Sequence, residues 1–251
     1  MTEPLANRIA FVTGAVRGIG RAIALKLAAA GCDMAIVYHT SQEEAETVCQ
    51  AISEMGRRVL ALQADVSEPE SVADAFAAFR EKFSRLDILV SNAAIGVLRP
   101  ALKLTLKHWR RCMETNALAL NLLAQEAVPL MGKGGRIIAL SSLGASRAIP
   151  HYAFIGASKA ALESVARSLA QELGPQGIRV NTVSAGVVDT DALKYFPNRE
   201  QLLAEYARRT PAGPTLTAED VANAVYLLCL PEAEMITGHT LVVDGGFCVS
   251  G

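Results

Sequence analysis

The chain has 251 residues, of which 51% are hydrophobic and 20% charged, a composition typical of a globular protein with a large core. Its net charge of −1 and its lack of any apolar run of roughly 18 residues argue against nucleic acid and the membrane as partners. No secretion signal or C-x-x-C pair is present, so a cytoplasmic protein without a metal site is expected.

Short apolar runs rich in β-branched residues alternate with longer segments of helical periodicity. The predicted strands are Ile9–Thr13, Met34–Tyr38, Val59–Leu62, Asp87–Ser91, Arg136–Ser141, Ile178–Ser184 and Thr240–Asp244. The predicted helices include Ile19–Ala30, Glu43–Met55, Ser71–Phe83, His108–Met131 and Ala153–Leu173. Because parallel strands need long crossovers, this order predicts an α/β fold, a single doubly wound, Rossmann-type sheet of seven parallel strands with helices on both faces.

No stretch of the chain reads as a linker, so residues 1–251 are predicted to form one dinucleotide-binding and catalytic domain. The least regular region is Gly186–Pro214, where prolines and glycines interrupt short apolar pieces. It predicts an excursion over the ligand cleft that acts as a mobile lid.

A glycine-rich turn, T-G-A-V-R-G-I-G at Thr13–Gly20, connects the first strand to the first helix. Glycines allow a tight turn and let backbone N–H groups approach a pyrophosphate at the positive end of the helix. Strand, glycine turn and helix in that order predict a dinucleotide site, the alternative being an ordinary strand-to-helix turn.

This turn resembles that of the short-chain dehydrogenase/reductase family, whose T-G-x-x-x-G-x-G pattern matches Thr13, Gly14, Gly18 and Gly20. The resemblance continues through A-D-V at Ala64–Val66, N-A-A at Asn92–Ala94 and V-S-A-G before Val187, although Ala185 stands where proline is more usual. It implies a homotetramer. It also implies cofactor contacts from Gly14, Arg17, Gly18, Ile19, Gly20, Tyr38, Thr40, Ser41, Asp65, Val66, Asn92, Ala93, Ala94, Lys159, Gly186, Val188 and Thr190.

The end of the second strand favours NADPH over NADH. An acidic residue there would hold the ribose 2′-hydroxyl, but the sequence reads Tyr38-His39-Thr40-Ser41. Arg17, inside the glycine turn, offers donors suited to a 2′-phosphate, or it is simply a solvated turn residue. Relatives often have arginine where Thr40 stands, so we expect fewer contacts to the 2′-phosphate in this chain.

The catalytic tyrosine of the family is displaced in this chain. The usual Y-x-x-x-K motif would put tyrosine at position 155 before Lys159, but the sequence has Ile155 there and Tyr152 three residues earlier. On a helix, residues seven apart lie on nearly one face, about 10.5 Å apart along the axis. Tyr152 is therefore predicted to be the acid, the alternative being an aromatic residue that only begins the helix.

Moving the acid along the helix suits reduction of a carbon–carbon double bond. Hydride addition to the β-carbon of an enoyl thioester places the developing charge on a distant carbonyl oxygen, so the donor must stand further from the nicotinamide. We expect Tyr152 to stabilise the enolate oxygen and Lys159 to hold the cofactor ribose and favour the acid function of the tyrosine.

The tyrosine–lysine spacing resembles that of the enoyl-[acyl-carrier-protein] reductases. Gly96–Pro100, Ser141–Gly144, Asp189–Glu200 and Thr210–Gly213 resemble segments of the NADPH-dependent type III enzymes. This resemblance implies reduction of trans-2-enoyl thioesters on acyl carrier protein in fatty acid elongation. It also implies substrate contacts from Ile95, Leu98, Ile155 and Leu193.

Two further residues have roles implied by the resemblance. Asn116 matches the family's helix asparagine, which supports the lysine through a water molecule. Ser142 matches the serine of the ketone-reducing members, and either polarises the thioester oxygen or caps the segment that follows.

Basic residues that flank the expected cleft suggest a docking surface for an acidic carrier, namely Arg99, Lys103, Lys107, Arg110, Arg111, Lys194 and Arg199.

Two other functions stay open at this point. The general resemblance permits a ketoreductase acting on a 3-oxoacyl thioester or another carbonyl, although Ile155 argues against it. A cofactor-binding sensor without catalysis is the third hypothesis, against which the intact Tyr152, Lys159 and Asn116 count.

Overall fold

The computed structural model describes residues 3–190, 193, 199–213 and 216–250. Its seven strands form one parallel sheet in the order β3-β2-β1-β4-β5-β6-β7, so the doubly wound prediction is confirmed. The strands are β1 (Ile9–Thr13), β2 (Asp33–Tyr38), β3 (Val59–Gln63), β4 (Ile88–Ser91), β5 (Arg136–Ser142), β6 (Arg179–Ala185) and β7 (Thr240–Val243). The α-helices are α1 (Gly18–Ala29), α2 (Gln42–Glu54), α3 (Pro69–Lys82), α4 (Leu106–Met113), α5 (Ala119–Ala127), α6 (Ala153–Leu173), α7 (Arg199–Arg209) and α8 (Ala218–Cys229).

The central strands are apolar on both faces because helices cover the sheet on both sides. In β1, Ala10 and Val12 face one core layer, and Ile9 and Phe11 face the other. The first layer packs under α1, α2 and α8, and the second under α3, α5 and α6. The uninterrupted apolar run of β1 follows from this burial on both sides.

The sheet places the carboxyl ends of β1 and β4 side by side at the point where the winding direction reverses. β1 pairs with β2 on one side and with β4 on the other. In open α/β sheets, ligands bind in the crevice outside the carboxyl ends of the strands at such a switch point. The glycine turn after β1 and the residues after β4 therefore face one crevice.

The helical segment predicted over His108–Met131 is confirmed, but it is not a regular α-helix throughout. The structure has α4, then a π-helical turn over Glu114–Leu118, then α5 and a 3₁₀ turn over Val128–Leu130. The π turn carries Asn116, whose side chain bonds to a neighbouring loop. A wider turn of this kind shifts the helical register and is common at functional sites.

The predicted lid over 186–214 lies partly outside the described residues, which omit 191–192, 194–198 and 214. Its described part contains α7, an eleven-residue helix that the sequence reading did not predict. The buried Tyr206 anchors this helix, because its hydroxyl donates to the Asp244 carbonyl at 2.7 Å. Mobility of the region stays a prediction.

Candidate active site

The glycine turn after β1 depends on its glycines. Gly14 and Gly18 have φ angles of 62° and 52°, in the left-handed region that side chains disfavour. A Cβ on Gly20 would lie 2.1 Å from the Gly14 carbonyl oxygen and 2.4 Å from Nδ2 of Asn92. The backbone here is therefore as compact as the sequence motif predicted.

Residues after β4 brace this turn. Nδ2 of Asn92 donates to the carbonyls of Thr13 and Gly14 at 2.9 and 3.1 Å. The Thr13 hydroxyl accepts from the amides of Asn92 and Ala93, both at 3.0 Å. Asn92, predicted to lie beside the ribose, thus holds the turn with its side chain, while the neighbouring Ala94 is exposed.

The N-terminus of α1 is open to an anion. Arg17 stands at the N-cap position without a side-chain cap, and no acidic residue lies in the first turn. A Cβ on Gly18 would lie 3.5 Å from the Thr190 side chain, so the segment after β6 reaches this turn. Uncapped amides at a helix N-terminus carry positive partial charge and commonly bind phosphate.

Contacts with β7, α7 and Leu216 hold the segment after β6 in place. The amide of Gly186 donates to the Val243 carbonyl at 2.9 Å, and Val188 forms a parallel bridge with Leu216. A Cβ on Gly186 would lie 2.2 Å from the Tyr206 hydroxyl. The residues predicted to line the nicotinamide are therefore brought beside the glycine turn.

At the other end of the crevice, the ends of β2 and β3 hold the residues predicted for the adenosine half. Tyr38 ends β2, Thr40 is exposed, and Ser41 stands at the N-cap position of α2 without a side-chain cap. Val66 is buried. The Asp65 carboxylate accepts from the amide and hydroxyl of Ser67 at 3.0 and 2.6 Å.

His39 is a neighbour that the sequence reading left without a role. Its Nε2 lies 3.8 Å from the Asp65 carboxylate. Adjacent strands bring the two residues together, and no local sequence signal links positions 26 apart. The cofactor crevice therefore ends in a histidine–aspartate pair.

Tyr152 points inward. It is the N-cap residue of α6, with φ −111° and ψ 12°, so it stands just outside the helix rather than on its face as predicted. Its hydroxyl donates to Oγ of Ser142 at 3.2 Å, and burial raises the pKa of the phenol above its ordinary value. The capping alternative for Ser142 is wrong, because the 3₁₀ turn over Leu143–Ala145 receives no side-chain cap.

Two glycines form a slot for the Tyr152 ring. A Cβ on Gly144 would lie 2.5 and 2.6 Å from ring carbons of Tyr152, and one on Gly156 would lie 2.5 Å from the Gly144 carbonyl oxygen. The sequence reading missed this role. Gly144 belongs to the segment Ser141–Gly144 noted above, but nothing in that segment indicates which ring lies against it.

The turn before Tyr152 is tied to the loop after β4. His151 has a positive φ of 64°, which is uncommon outside glycine, and its carbonyl accepts from the Arg99 amide at 3.1 Å. The Ile155 side chain, where the family has tyrosine, packs on Gly96, whose Cβ would lie 2.2 Å from Cδ1 of Ile155. The loop over 95–100 thus closes over the start of α6.

Lys159, on α6, is buried. Its Nζ donates to the Leu140 carbonyl at 2.7 Å, and burial lowers the pKa of the ammonium to about 8. The next residue back, Ser158, receives a hydrogen bond from Nδ2 of Asn116 at 2.9 Å. Asn116 also bonds to the amide and carbonyl of Ile95, both at 2.8 Å, so it links the loop after β4 to the lysine helix. The water-mediated contact to Lys159 stays a prediction.

The predicted substrate contacts lie around this centre. Ile95 and Leu98 are half-buried on the loop after β4, and Ile155 is buried. Leu193 is buried and donates its amide to the Thr190 carbonyl at 2.9 Å. Contact of these four side chains with a substrate stays a prediction.

The arrangement combines an anion-binding helix end with a proton donor and a buried cation. Among the described residues, no cluster of three or more histidine, cysteine, aspartate or glutamate side chains could hold a metal ion. Nor does any helix in the described ranges have the length and apolar character to cross a bilayer. The uncapped start of α1 suits the phosphates of a dinucleotide, and the Tyr152 hydroxyl can donate a hydrogen bond.

Comparison with known proteins agrees with this arrangement. A family model described as Enoyl-(Acyl carrier protein) reductase matches residues 14–248. The 1-cyclohexenylcarbonyl-CoA reductase of Streptomyces collinus is 40% identical over 245 residues, 97% of this chain and 88% of that protein.

Solved structures superimpose along almost the whole chain. A short chain dehydrogenase from Burkholderia cenocepacia J2315 in complex with NADP is 38% identical, with a TM-score of 0.90 over 98% of this chain and 99% of that one. The angucycline C-6 ketoreductase LanV with bound NADP is 34% identical, with a TM-score of 0.92 over 100% of this chain and 99% of that one. With this coverage, and with the glycine turn, Tyr152 and Lys159 in one crevice, the chain belongs to the short-chain dehydrogenase/reductase family.

Proposed function

We propose that this oxidoreductase uses NADPH to reduce trans-2-enoyl thioesters carried by acyl carrier protein, as a step of fatty acid elongation. The observation that supports it best is the position of the phenol. Ile155 occupies the usual tyrosine position and is packed against Gly96, while the hydroxyl of Tyr152 reaches Ser142 from one turn earlier. An acid in that position suits charge that develops away from the carbon that accepts hydride.

The residues of the crevice fit a phosphorylated dinucleotide. The uncapped start of α1, free of acidic residues in its first turn, suits the pyrophosphate. Arg17 is exposed at that start, and positions 38–41, at the end of β2, hold no acidic residue that would repel a 2′-phosphate. Two of the similar solved structures contain NADP.

The residues of the chain would then have the following roles in the reduction. NADPH, when bound, supplies the hydride. The Tyr152 hydroxyl donates a hydrogen bond to the thioester oxygen as negative charge develops there, which stabilises the enolate. Lys159, as a cation, would hold the ribose hydroxyls and favour the donor function of the phenol, and the enolate would then take up a proton from solvent at its α-carbon. Ser142 positions the phenol through its Oγ, and Asn116 fixes the loop that covers the substrate.

A relative supports the substrate class. The name 1-cyclohexenylcarbonyl-CoA denotes a thioester whose carbonyl carries a carbon–carbon double bond next to it, and the enzyme that bears this name is 40% identical to the chain. That substrate is linked to coenzyme A and not to acyl carrier protein. The evidence for a carrier protein in our proposal is therefore the charge of the surface beside the site.

That surface is basic. No acidic residue occurs between Asp87 and Glu114, while Arg99, Lys103, Lys107, Arg110 and Arg111 do. All five are exposed, and none forms an ion pair with a described residue. Arg199, also assigned to this surface, instead binds Asp189 through two contacts of 2.7 Å, and Lys194 lies outside the described residues.

Charge reversal tests the carrier. Replacing Lys103 and Lys107 by glutamate should raise KM for carrier-bound substrate about tenfold or more, because each lost attraction also becomes a repulsion. KM for the same acyl group on coenzyme A should stay unchanged. Equal effects on both substrates would rule the carrier surface out.

The second candidate function is ketone reduction. The Tyr152–Ser142 hydroxyl pair, 3.2 Å apart, has the residue types that ketone-reducing members use, and LanV is named as a ketoreductase. The position of the phenol before the helix counts against it, because a ketone needs its proton donor next to the carbon that accepts hydride.

Turnover of paired substrates separates the two functions. The protein is mixed with NADPH and either crotonyl or acetoacetyl thioester, and loss of reduced-cofactor absorbance is followed. We expect turnover of the crotonyl thioester, and a fall in kcat of about 100- to 1,000-fold for Tyr152→Phe, the usual cost of removing one oxyanion donor. Turnover of acetoacetyl but not crotonyl thioester would reverse the assignment, and cofactor binding without either would favour a sensor.

A further inference from the structure

Lys159 and Glu163 lie one turn apart on α6, where it packs against β5. The Lys159 ammonium is buried and donates to the Leu140 carbonyl at 2.7 Å. The next residue of β5, Ser141, donates its hydroxyl to Oε1 of Glu163 at 2.6 Å. Two consecutive residues of one strand therefore hold the lysine and the glutamate, and residues four apart on a helix lie on the same face.

The buried ammonium needs a counter-charge. One carbonyl satisfies one of its three N–H donors, and burial of a charge in a low-dielectric interior is costly unless the charge is paired. Burial lowers the pKa of Lys159 to about 8, and the negative charge of Glu163 opposes this effect. Glu163 is half-buried, so solvent screens its charge less than that of an exposed carboxylate.

The other ionisable groups around α6 are placed differently. Arg136 of β5 and Arg179 of β6 lie at the amino-terminal ends of their strands, away from Leu140 and Ser141, and both bind Glu234. The remaining groups on α6 and on the helices and π turn packed against it are Tyr152, Arg167, Glu172, Lys107, His108, Arg110, Arg111, Cys112, Glu114 and Glu126. The carboxylate of Glu163, one turn away on the same helix, raises the pKa of Lys159 against the effect of burial.

We propose that Glu163 is a positioning residue for the reduction, whose charge keeps Lys159 protonated during turnover while Ser141 fixes the carboxylate in place. The inference rests on the proposed function, in which Lys159 works as a cation. If Glu163 only connected α6 to β5, the hydrogen bond from Ser141 would be sufficient and the negative charge of Glu163 would not be needed.

Two substitutions separate the charge from the tie. Glu163→Gln removes the charge but keeps an oxygen that can accept from Ser141. Glu163→Asp keeps the charge on a shorter side chain. Glu172→Gln removes a carboxylate from an exposed position on the same helix and serves as the matched control.

The titration of Lys159 is measured directly by NMR of its Nζ in lysine-labelled protein without substrate, assigned with Lys159→Met. We expect the midpoint to fall by about one unit in Glu163→Gln, the size of shift that a nearby charge produces, and to stay near the wild-type value in Glu163→Asp and Glu172→Gln. The alkaline limb of kcat/KM for NADPH should move with it, because that parameter reports the free enzyme.

The outcomes are distinct. An unchanged Lys159 midpoint in Glu163→Gln, or the same fall in Glu163→Asp as in Glu163→Gln, would overturn the role of the charge. A lower midpoint without movement of the alkaline limb would also overturn the positioning role. If the wild-type protein turns over no thioester while the midpoint still falls, the proposed function fails and the electrostatic coupling stands.

Discussion

Tyr152 owes its place to neighbours rather than to the helix that follows it. It stands at the N-cap of α6, where the backbone is not helical, and its ring lies against Gly144. The positive φ of His151 sets the direction from which the chain enters the helix. The position of the phenol therefore depends on the absence of a side chain at Gly144 as well as on the hydrogen bond to Ser142.

Gly144→Ala should therefore displace the ring. Because the new Cβ would lie 2.5 Å from a ring carbon, the phenol must shift, and a displacement of about 1 Å at a reacting group can cost about 100-fold in kcat. Gly174→Ala, where a Cβ meets nothing within 4 Å, is the control and should keep full activity. In a Tyr152→Phe background, Gly144→Ala should cost little more. A further 100-fold loss there would mean that Gly144 acts by another route.

Arg17 is the residue on which the choice of NADPH depends. Replacing it by alanine should raise KM for NADPH about tenfold, since the arginine would make charge-assisted hydrogen bonds only to the 2′-phosphate, and should leave KM for NADH unchanged. Steady-state kinetics with both cofactors measure this, with Arg167→Ala on an exposed part of α6 as the control. An equal effect on both cofactors would identify Arg17 as a general turn residue.

At the scale of elements, α7 is anchored by one aromatic side chain. Tyr206 stacks on Phe247 with ring centroids 4.7 Å apart and donates to the Asp244 carbonyl, so the C-terminal segment holds the helix. Burial raises the pKa of Tyr206 to about 12, so its hydroxyl stays a donor well into the alkaline range. The helix and the segment after β6 are thus coupled through Gly186, which lies against the same hydroxyl.

Tyr206→Phe should weaken this anchor modestly. The loss of one hydrogen bond costs about 1 kcal/mol, and the Asp244 carbonyl keeps its second donor, the Phe247 amide. For a chain of this size we expect the melting temperature to fall by about 2–4 °C. Differential scanning calorimetry checks this against Tyr226→Phe, a tyrosine on α8 whose ring lies beneath Lys26. A matching fall in both variants would contradict the anchoring role.

At the scale of the whole molecule, two core layers are well covered but one end of the sheet is not. β7 is an edge strand, and several large apolar side chains on or near it are exposed, with exposed fractions of 91% for Met235, 56% for Leu227 and 47% for Val242. Exposed apolar patches at a free strand edge are typical of sites where copies associate.

The homotetramer expected from the family resemblance remains a prediction, and this surface is where we expect part of it to form. Size-exclusion chromatography with light scattering should give a mass about fourfold the 26.6 kDa of the chain. Replacing Met235 and Val242 by lysine should yield smaller assemblies, because charges there would be buried. Met55→Lys, at an exposed site after α2, should not. A monomeric wild-type protein would refute the prediction.

Much of the fold could be predicted from local patterns. Runs such as Ile9–Thr13 are apolar on both faces, and they alternate with amphipathic segments, which is sufficient to predict a doubly wound sheet. The glycine turn was readable because the φ angles and close approaches at Gly14, Gly18 and Gly20 are local requirements that few other residues meet. The Tyr152–Lys159 spacing was likewise visible as a departure from the usual motif.

Other features were decided by contacts between residues distant in sequence. The π turn between α4 and α5 was missed because Asn116 is held by Ile95, and α7 was missed because its anchor is the carbonyl of Asp244, 38 residues from Tyr206. The inward direction of the phenol depends on Gly144 and Ser142, which only the packing of β5 against α6 brings to it. Sequence periodicity determines which face of an element is buried, whereas the atoms that meet across that face are set by how the elements pack.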